Sequence, residues 1–280
     1  MIKKIKFIIK NSIYIISNKT FFKFLLSRYK NESIVYCLHR VLPSKKRRLE
    51  NIKNLDFIIT TKYFENFIKK TKKDYEFVDL KTISRKINSN KKKKYCHLTF
   101  DDGYLDNLQY AFPILKKYNV PATFYISDSY IDRSKNIKDF LCANNINDFM
   151  NWNELKKLSK SKLVTIGCHT SNHKELSKLS DKDVYKEIFF SRKNIEKKLK
   201  KKIYDFAYPY GGRDNFNKNT TKIVRKLKFK TAVTAMCNTW NIKNSRFLIP
   251  RYFVTEKCSD LILKSRISGL SNFLKNQFLP

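Results

Sequence analysis

Apolar residues along this chain fall into short runs set between longer amphipathic stretches. The runs Ser33–Leu38, Tyr95–Phe100, Ala122–Ile126, Leu163–Ile166, Ile203–Ala207, Thr231–Thr234 and Phe247–Val254 predict strands. Between several of them, Lys62–Lys70, Leu105–Lys117, Asn153–Ser159, Asp181–Lys200 and Thr220–Leu227 predict helices. Asp181–Lys200 is charged on one side and carries Val184, Ile188 and Ile195 on the other. Strands separated by helices predict an α/β fold with a parallel sheet, and about seven such units suggest a barrel or a doubly wound sheet.

The two ends read differently. In residues 1–30, Ile2, Ile5, Ile9, Ile13 and Ile16 recur at helical spacing while Lys3, Lys6 and Lys10 lie off that face. This is an amphipathic helix that either lies on an anionic membrane or docks on the main domain. Lys10 and Asn11 break the apolar stretch and no small-residue cleavage site follows, so a secretory signal is not expected. Residues 258–280 predict a last helix, with Leu263, Ile267, Leu270 and Leu274 on one side. The organisation expected is therefore an N-terminal helical segment over 1–30, one domain over 31–257 and a C-terminal helix over 258–280.

Composition narrows the function classes. The 280 residues include 42% hydrophobic side chains, enough for a full core, so a disordered chain is excluded despite the charge. The balance of 60 Lys+Arg against 24 Asp+Glu leaves a net charge of +36. The lysines are spread over the whole chain among many Ile and Asn. No zinc finger, RNP-type motif or basic zipper accompanies them, so nucleic acid is not the expected partner. Attraction to an anionic membrane surface fits the charge better. None of the six cysteines forms a CxxC pair, and a reduced, cytoplasmic setting is the simpler expectation, with peripheral association at the inner membrane.

The scarce residues point to chemistry. Only 5 glycines occur where ordinary usage would supply roughly 20. Four of them, Gly103, Gly167, Gly211 and Gly212, fall in three short polar stretches at predicted strand ends. Ligands gather at the C-terminal strand ends of parallel α/β folds. The stretch Gly167–His173 holds His169 and His173, four apart, which on one helical turn would offer two imidazoles to one metal ion. Thr99–Tyr104 holds the adjacent Asp101 and Asp102. A turn at Gly103 would let both reach one pocket, one binding metal while the other handles protons, whereas helix capping before Leu105 is the simpler use. One carboxylate with two imidazoles completes a three-ligand site with an open position, as hydrolytic zinc requires. Phe206–Arg213 predicts a rigid turn whose backbone N–H groups suit a developing oxyanion.

These stretches resemble the motifs of the NodB-homology polysaccharide deacetylases, carbohydrate esterase family 4. Thr99-Phe100-Asp101-Asp102-Gly103 is similar to the first motif and His169-Thr170-Ser171-Asn172-His173 to the second. Phe206-Ala207-Tyr208-Pro209-Tyr210-Gly211 resembles a branch variant of the third, and Leu38-His39-Arg40-Val41 and Trp152 fit the same branch. The resemblance spans roughly Ser33 to Val254. It implies a distorted (β/α)7 barrel that removes acetyl from N-acetylated sugars of a polysaccharide or glycolipid, the substrate being an acetylated saccharide or a lipid-linked sugar. It implies Asp102, His169 and His173 as ligands of a divalent metal, zinc first and Co2+, Ni2+ or Fe2+ as substitutes. It implies Asp101 as general base and the Tyr210 N–H as oxyanion donor.

The sequence departs from the family pattern in two places. Ala207 stands where many members carry an arginine that orients the base, and Arg251 is the candidate to supply that guanidinium, unless it pairs with a surface acid. The late Leu-x-His motif that often provides the general acid is absent. His39, at the end of the first strand, is the candidate for a pocket role, and His97 is expected in the core. O-acetyl esterase activity on a glycan is a close alternative. A catalytically weak basic protein that binds anionic lipid or nucleic acid is the alternative from a different class.

Overall fold

The computed structural model describes residues 33–48, 55–86, 93–134, 143, 145–238, 240 and 245–257. The helical readings of residues 1–30 and 258–280 lie outside the described residues. Strands β1 (Ile34–Leu38), β5 (Tyr95–Phe100), β6 (Ala122–Ile126), β7 (Val164–Cys168), β8 (Asp205–Ala207) and β9 (Thr231–Val233) are the predicted ones within a few residues. The last predicted strand shortens to β10 (Tyr252–Phe253). Three short strands come in addition: β2 (Arg40–Leu42), β3 (Ile58–Thr60) and β4 (Glu76–Phe77).

All paired strands of the main sheet are parallel, in the order β10-β1-β5-β6-β7-β8-β9, with β4 on the first residues of β5. The sheet curls until the chain just ahead of β10 returns to the other edge, where Ile249 bridges Val233 in parallel. Alternate residues separate two packing surfaces. Ile34, Tyr36, Cys96, Leu98, Phe124 and Phe206 join the large core under the helices. Val35, Tyr95, Tyr125, Ala207 and Val233 pack against one another inside the curl. Burial on both faces explains why the strands read as nearly continuous apolar runs.

The helices start where the sequence supplies caps. Helix α2 (Thr61–Asp74), the second after α1 (Ser44–Arg48), begins at Thr60, whose hydroxyl accepts from the Tyr63 N–H. The apolar pattern does not mark α3 (Leu80–Lys86), α4 (Phe112–Tyr118) as a separate helix, or α5 (Asp128–Ile131). Helix α6 (Trp152–Ser159) opens on a capping box between Asn151 and Glu154. The predicted long helix is α7 (Asp181–Leu199), capped by Ser180, and α8 is Lys218–Lys226. The expected helix over Leu105–Lys117 is irregular: Asn107–Ala111 is a π-helical turn ahead of α4. Side chains at its start are committed elsewhere. The Asp106 carboxylate accepts from the Val41 N–H and Arg40 Nε (3.0 and 2.7 Å), and Asn107 Nδ2 donates to the His39 carbonyl at 2.8 Å.

His97 takes the core role expected of it. It is fully buried, Nδ1 donates to the Val78 carbonyl at 2.7 Å, and Nε2 accepts from Thr123 Oγ1 at 2.9 Å. Burial pulls its imidazole down to about 4 from the ordinary histidine value. The unfolded chain therefore binds a proton that the folded one refuses. Stability present above about pH 6.5 is lost as the pH falls toward 4, by up to about 3 kcal/mol from this group. Urea unfolding midpoints between pH 7.5 and 4.5 check this: a His97→Asn variant is expected to show a flatter decline than the parent, and equal slopes refute the assignment.

Candidate active site and metal centre

Because the strands run parallel, the residues that follow them collect at one end. His39 follows β1, Asp101 and Asp102 follow β5, His169 follows β7, and Tyr210 lies beyond β8. Arg251 arrives from just ahead of β10. The structure thus brings together all seven candidate residues from chain positions up to 212 apart.

The two aspartates leave β5 in different directions. Asp101 continues the strand's inward alternation, and its N–H donates to the Leu38 carbonyl at 3.0 Å. Asp102 has a left-handed backbone, φ 77°, followed by Gly103 at φ 88°, and this reversal turns its carboxylate to the same side. Arg251 is 1% exposed and grips Asp101 with a two-pronged fork, Nη1 to Oδ1 at 2.7 Å and Nη2 to Oδ2 at 2.8 Å. Its Nε donates to the Thr234 carbonyl at 2.8 Å, and Nη1 also donates to Thr99 Oγ1 at 2.9 Å. Arg251 is therefore no partner of a surface acid. Burial pushes the Asp101 carboxyl up, but the Arg251 charge and then His169 outweigh it and hold the group well below the usual carboxylate range. Burial, and then the Asp101 charge, push the Asp102 carboxyl well up.

The histidine pair departs from the expected helical turn. His169 to His173 form an irregular loop in which Thr170 (φ 66°) and His173 (φ 50°) are left-handed. Spacing of four still places the rings together, centroids 4.8 Å apart, because the loop folds back on itself. The Thr170 hydroxyl accepts from the His173 N–H, and Ser127 Oγ donates to the His169 carbonyl. Glu187, buried on α7, accepts from both the backbone N–H and the side-chain amide of Asn172 at 2.9 Å. Glu187 is not among the candidates read from the sequence. A visible signal was there: it sits with Val184 and Ile188 on the apolar side of the predicted helix.

One oxygen of Asp102 faces both rings, 3.6 Å from His169 Nε2 and 3.5 Å from His173 Nε2. His169 Nδ1 lies 2.8 Å from the Ala207 carbonyl, which can only accept. Nδ1 thus carries the proton, and Nε2 presents its lone pair toward Asp102. Two acceptors that face each other are reconciled by a proton on the carboxyl or by a metal ion between them. Asp102 Oδ1 is buried without a hydrogen-bond partner among the described residues. The three donor atoms lie within 4.8 Å of one another. An orphaned carboxylate oxygen beside an imidazole lone pair fits a divalent cation.

Two further candidates border this group. His39 Nε2 is 4.0 Å from Asp102 Oδ2, with its side chain 15% exposed and its ring against Phe57 and Phe253. Burial lowers its imidazole to about 4. Tyr210 is left-handed, φ 60°, 51% exposed, and its ring lies 4.8 Å from that of His173. The turn is held at Gly211 (φ 63°), where an added Cβ would fall 2.5 Å from the Ala235 nitrogen. Left-handed non-glycine residues thus cluster around the site, at Asp102, Thr170, His173 and Tyr210.

Comparisons with known proteins bear on the fold and the family. The Staphylococcus aureus (strain N315) poly-beta-1,6-N-acetyl-D-glucosamine N-deacetylase is 26% identical over 225 residues, 77% of this chain and 73% of that protein. The Bacillus subtilis (strain 168) protein YxkH is 27% identical over 162 residues, 57% of this chain. The chain spans about half of that relative's length, 52%. Among solved structures, the Streptococcus pyogenes deacetylase PplD in complex with acetate superposes with a TM-score of 0.66 at 22% identity, covering 84% of this chain and 98% of that one. IcaB from Ammonifex degensii gives 0.66 at 21% identity, covering 84% and 96%. These likenesses identify the fold as the expected (β/α)7 type. The sequence model for the polysaccharide deacetylases matches residues 88–232, which include both aspartates, both loop histidines and Tyr210 but neither His39 nor Arg251. That match covers more than half of the sequence, and the chain belongs to the polysaccharide deacetylase family.

Proposed function

We propose that this protein is a divalent-metal-dependent N-deacetylase that hydrolyses the acetamide of N-acetylated amino sugars in a polysaccharide. The observation that carries the reading is the Asp102–His169–His173 donor group beside an aspartate held ionised by a buried arginine. The named activity of the Staphylococcus relative supports the substrate class.

In this reading Asp102, His169 and His173 hold the cation. When bound, it supplies Lewis acidity that polarises the acetyl carbonyl and acidifies a water. Asp101 takes the proton of the attacking water, and the Arg251 fork fixes its orientation and its charge. The Tyr210 backbone N–H stabilises the oxyanion. His39, kept neutral at neutral pH by burial, borders the group 4.0 Å from Asp102 and orients the substrate amide, while Asp101 returns the proton drawn from the water to the departing amine. Zinc suits the donor set, and Co2+, Ni2+ or Fe2+ are the substitutes.

The test is acetate release by the purified full chain from β-1,6-linked N-acetylglucosamine oligomers, beside metal analysis. Release is expected from the N-acetylated sugars, lost on chelation and restored by Zn2+ or Co2+. Release from O-acetylated sugars alone would make the protein an esterase, and release from neither would refute the hydrolase. Running the assay on lipid-linked N-acetyl sugars as well identifies the acceptor.

A further inference from the structure

The aspartate pair anchors a second group of donors. A sulfur of Cys37, a nitrogen of His39 and an oxygen of Asp101 lie within 4.8 Å of one another, beside the Asp102 group. Cys37 and His39 are two apart at the end of β1, and strand alternation sends both side chains to the same side. The Cys37 Sγ is 3.5 Å from Asp101 Oδ2. His39 Nδ1 is buried with no hydrogen-bond partner among the described residues. The mechanism above employs Asp101 and His39 and has no use for a thiol. Yet sulfur, imidazole and carboxylate together are a ligand set for thiophilic divalent ions.

We propose that Cys37, His39 and Asp101 form a second, inhibitory site for a thiophilic divalent cation, Cd2+ or excess Zn2+, adjoining the Asp102 site. The proposal rests on the reading of that neighbour as the catalytic metal site. On binding, the Cys37 S–H bond breaks, sulfur bonds to the cation through the released electron pair, and the proton leaves to bulk water. No group changes oxidation state. The Arg251 guanidinium on Asp101 and the first cation both repel the incoming charge, so this site is the weaker and fills second. The Phe57 and Phe253 rings, 4.7 and 5.9 Å from the His39 ring, border it, and Cys37 is fully buried. Occupancy removes the Asp101 lone pair and the His39 nitrogen that the reaction needs.

The experiment titrates the metal-stripped full chain with Cd2+. It follows bound metal by equilibrium dialysis, the ultraviolet thiolate-to-cadmium absorption, and acetate release under rising Zn2+. The parent is expected to take a second equivalent that brings the absorption and suppresses acetate release. Cys37→Ala, which keeps the other five cysteines, is expected to lose that equivalent and its absorption. Its inhibition should require about 10- to 100-fold more metal, at least the effect of losing a supporting ligand contact. Cys37→Ser gives the same comparison if the alanine variant does not fold. A parent that binds a single equivalent without thiolate absorption, or variants that retain the second equivalent and the inhibition, overturns the second site and leaves the deacetylase reading standing. A parent that binds no metal at all overturns both.

Discussion

Arg251→Met is expected to destabilise the protein by about 3–5 kcal/mol, the usual cost of stranding one partner of a buried ion pair. The reason is specific to this site. Asp101 and Arg251 are 5% and 1% exposed at the side chain and satisfy each other through two short bonds. Methionine matches the length of the arginine stem but leaves the carboxylate without its counter-charge. The Thr234 carbonyl also loses its donor. The double variant Arg251→Met, Asp101→Leu removes the stranded charge and should recover most of the loss, since an apolar pair of similar volume often replaces a buried ion pair at little cost. Urea midpoints of the parent, both single variants and the double variant measure the coupling. A single variant that loses under about 1 kcal/mol would mean that the fork does not hold Asp101 in place.

Asp101→Asn is the second large effect. Acetate release should fall by about 10²- to 10⁴-fold, the range for removing a positioned base, with the loss in kcat and little change in KM. The amide keeps the shape of the carboxylate but cannot take the proton of a water. The first, tighter equivalent of metal should stay as in the parent, because the orphaned oxygen that faces the two imidazoles belongs to Asp102. Equal loss of activity and of that first equivalent would instead make Asp101 a ligand of the Asp102 site, and the division of labour between the aspartates would be wrong.

The sequence carried that division only in part. The Asp-Asp-Gly run showed that two carboxylates end a strand, but not which faces the histidines. The deciding feature is the left-handed backbone of Asp102, and adjacent residue types do not encode it. The same holds for the histidine loop. Spacing of four is shared by a helical turn and by a loop with two left-handed residues, and the helical one was the wrong choice here. Longer strands such as Ala122–Ile126 were legible because buried positions on both faces give a run that is apolar but for Thr123, which His97 satisfies. The strands Arg40–Leu42 and Glu76–Phe77 were not, since two or three residues form a strand only when a partner edge is already in place. The π-helical turn at Asn107–Ala111 was equally hidden, because its cause lies some 65 residues away in the Val41 N–H and the Arg40 side chain. Cys37 gave no signal at all: a cysteine in an apolar strand reads as a small core residue, and only the geometry turns its sulfur toward Asp101.

The span of 150 residues between Asp101 and its arginine has a consequence for biosynthesis. Both loop histidines and both aspartates leave the ribosome well before residue 251 does. Until then the Asp101 carboxylate has no counter-ion, and burying it is unfavourable. The nascent domain thus cannot close around its reaction centre before nearly all of the described chain has been translated, and a polypeptide cut short ahead of that arginine is left inert.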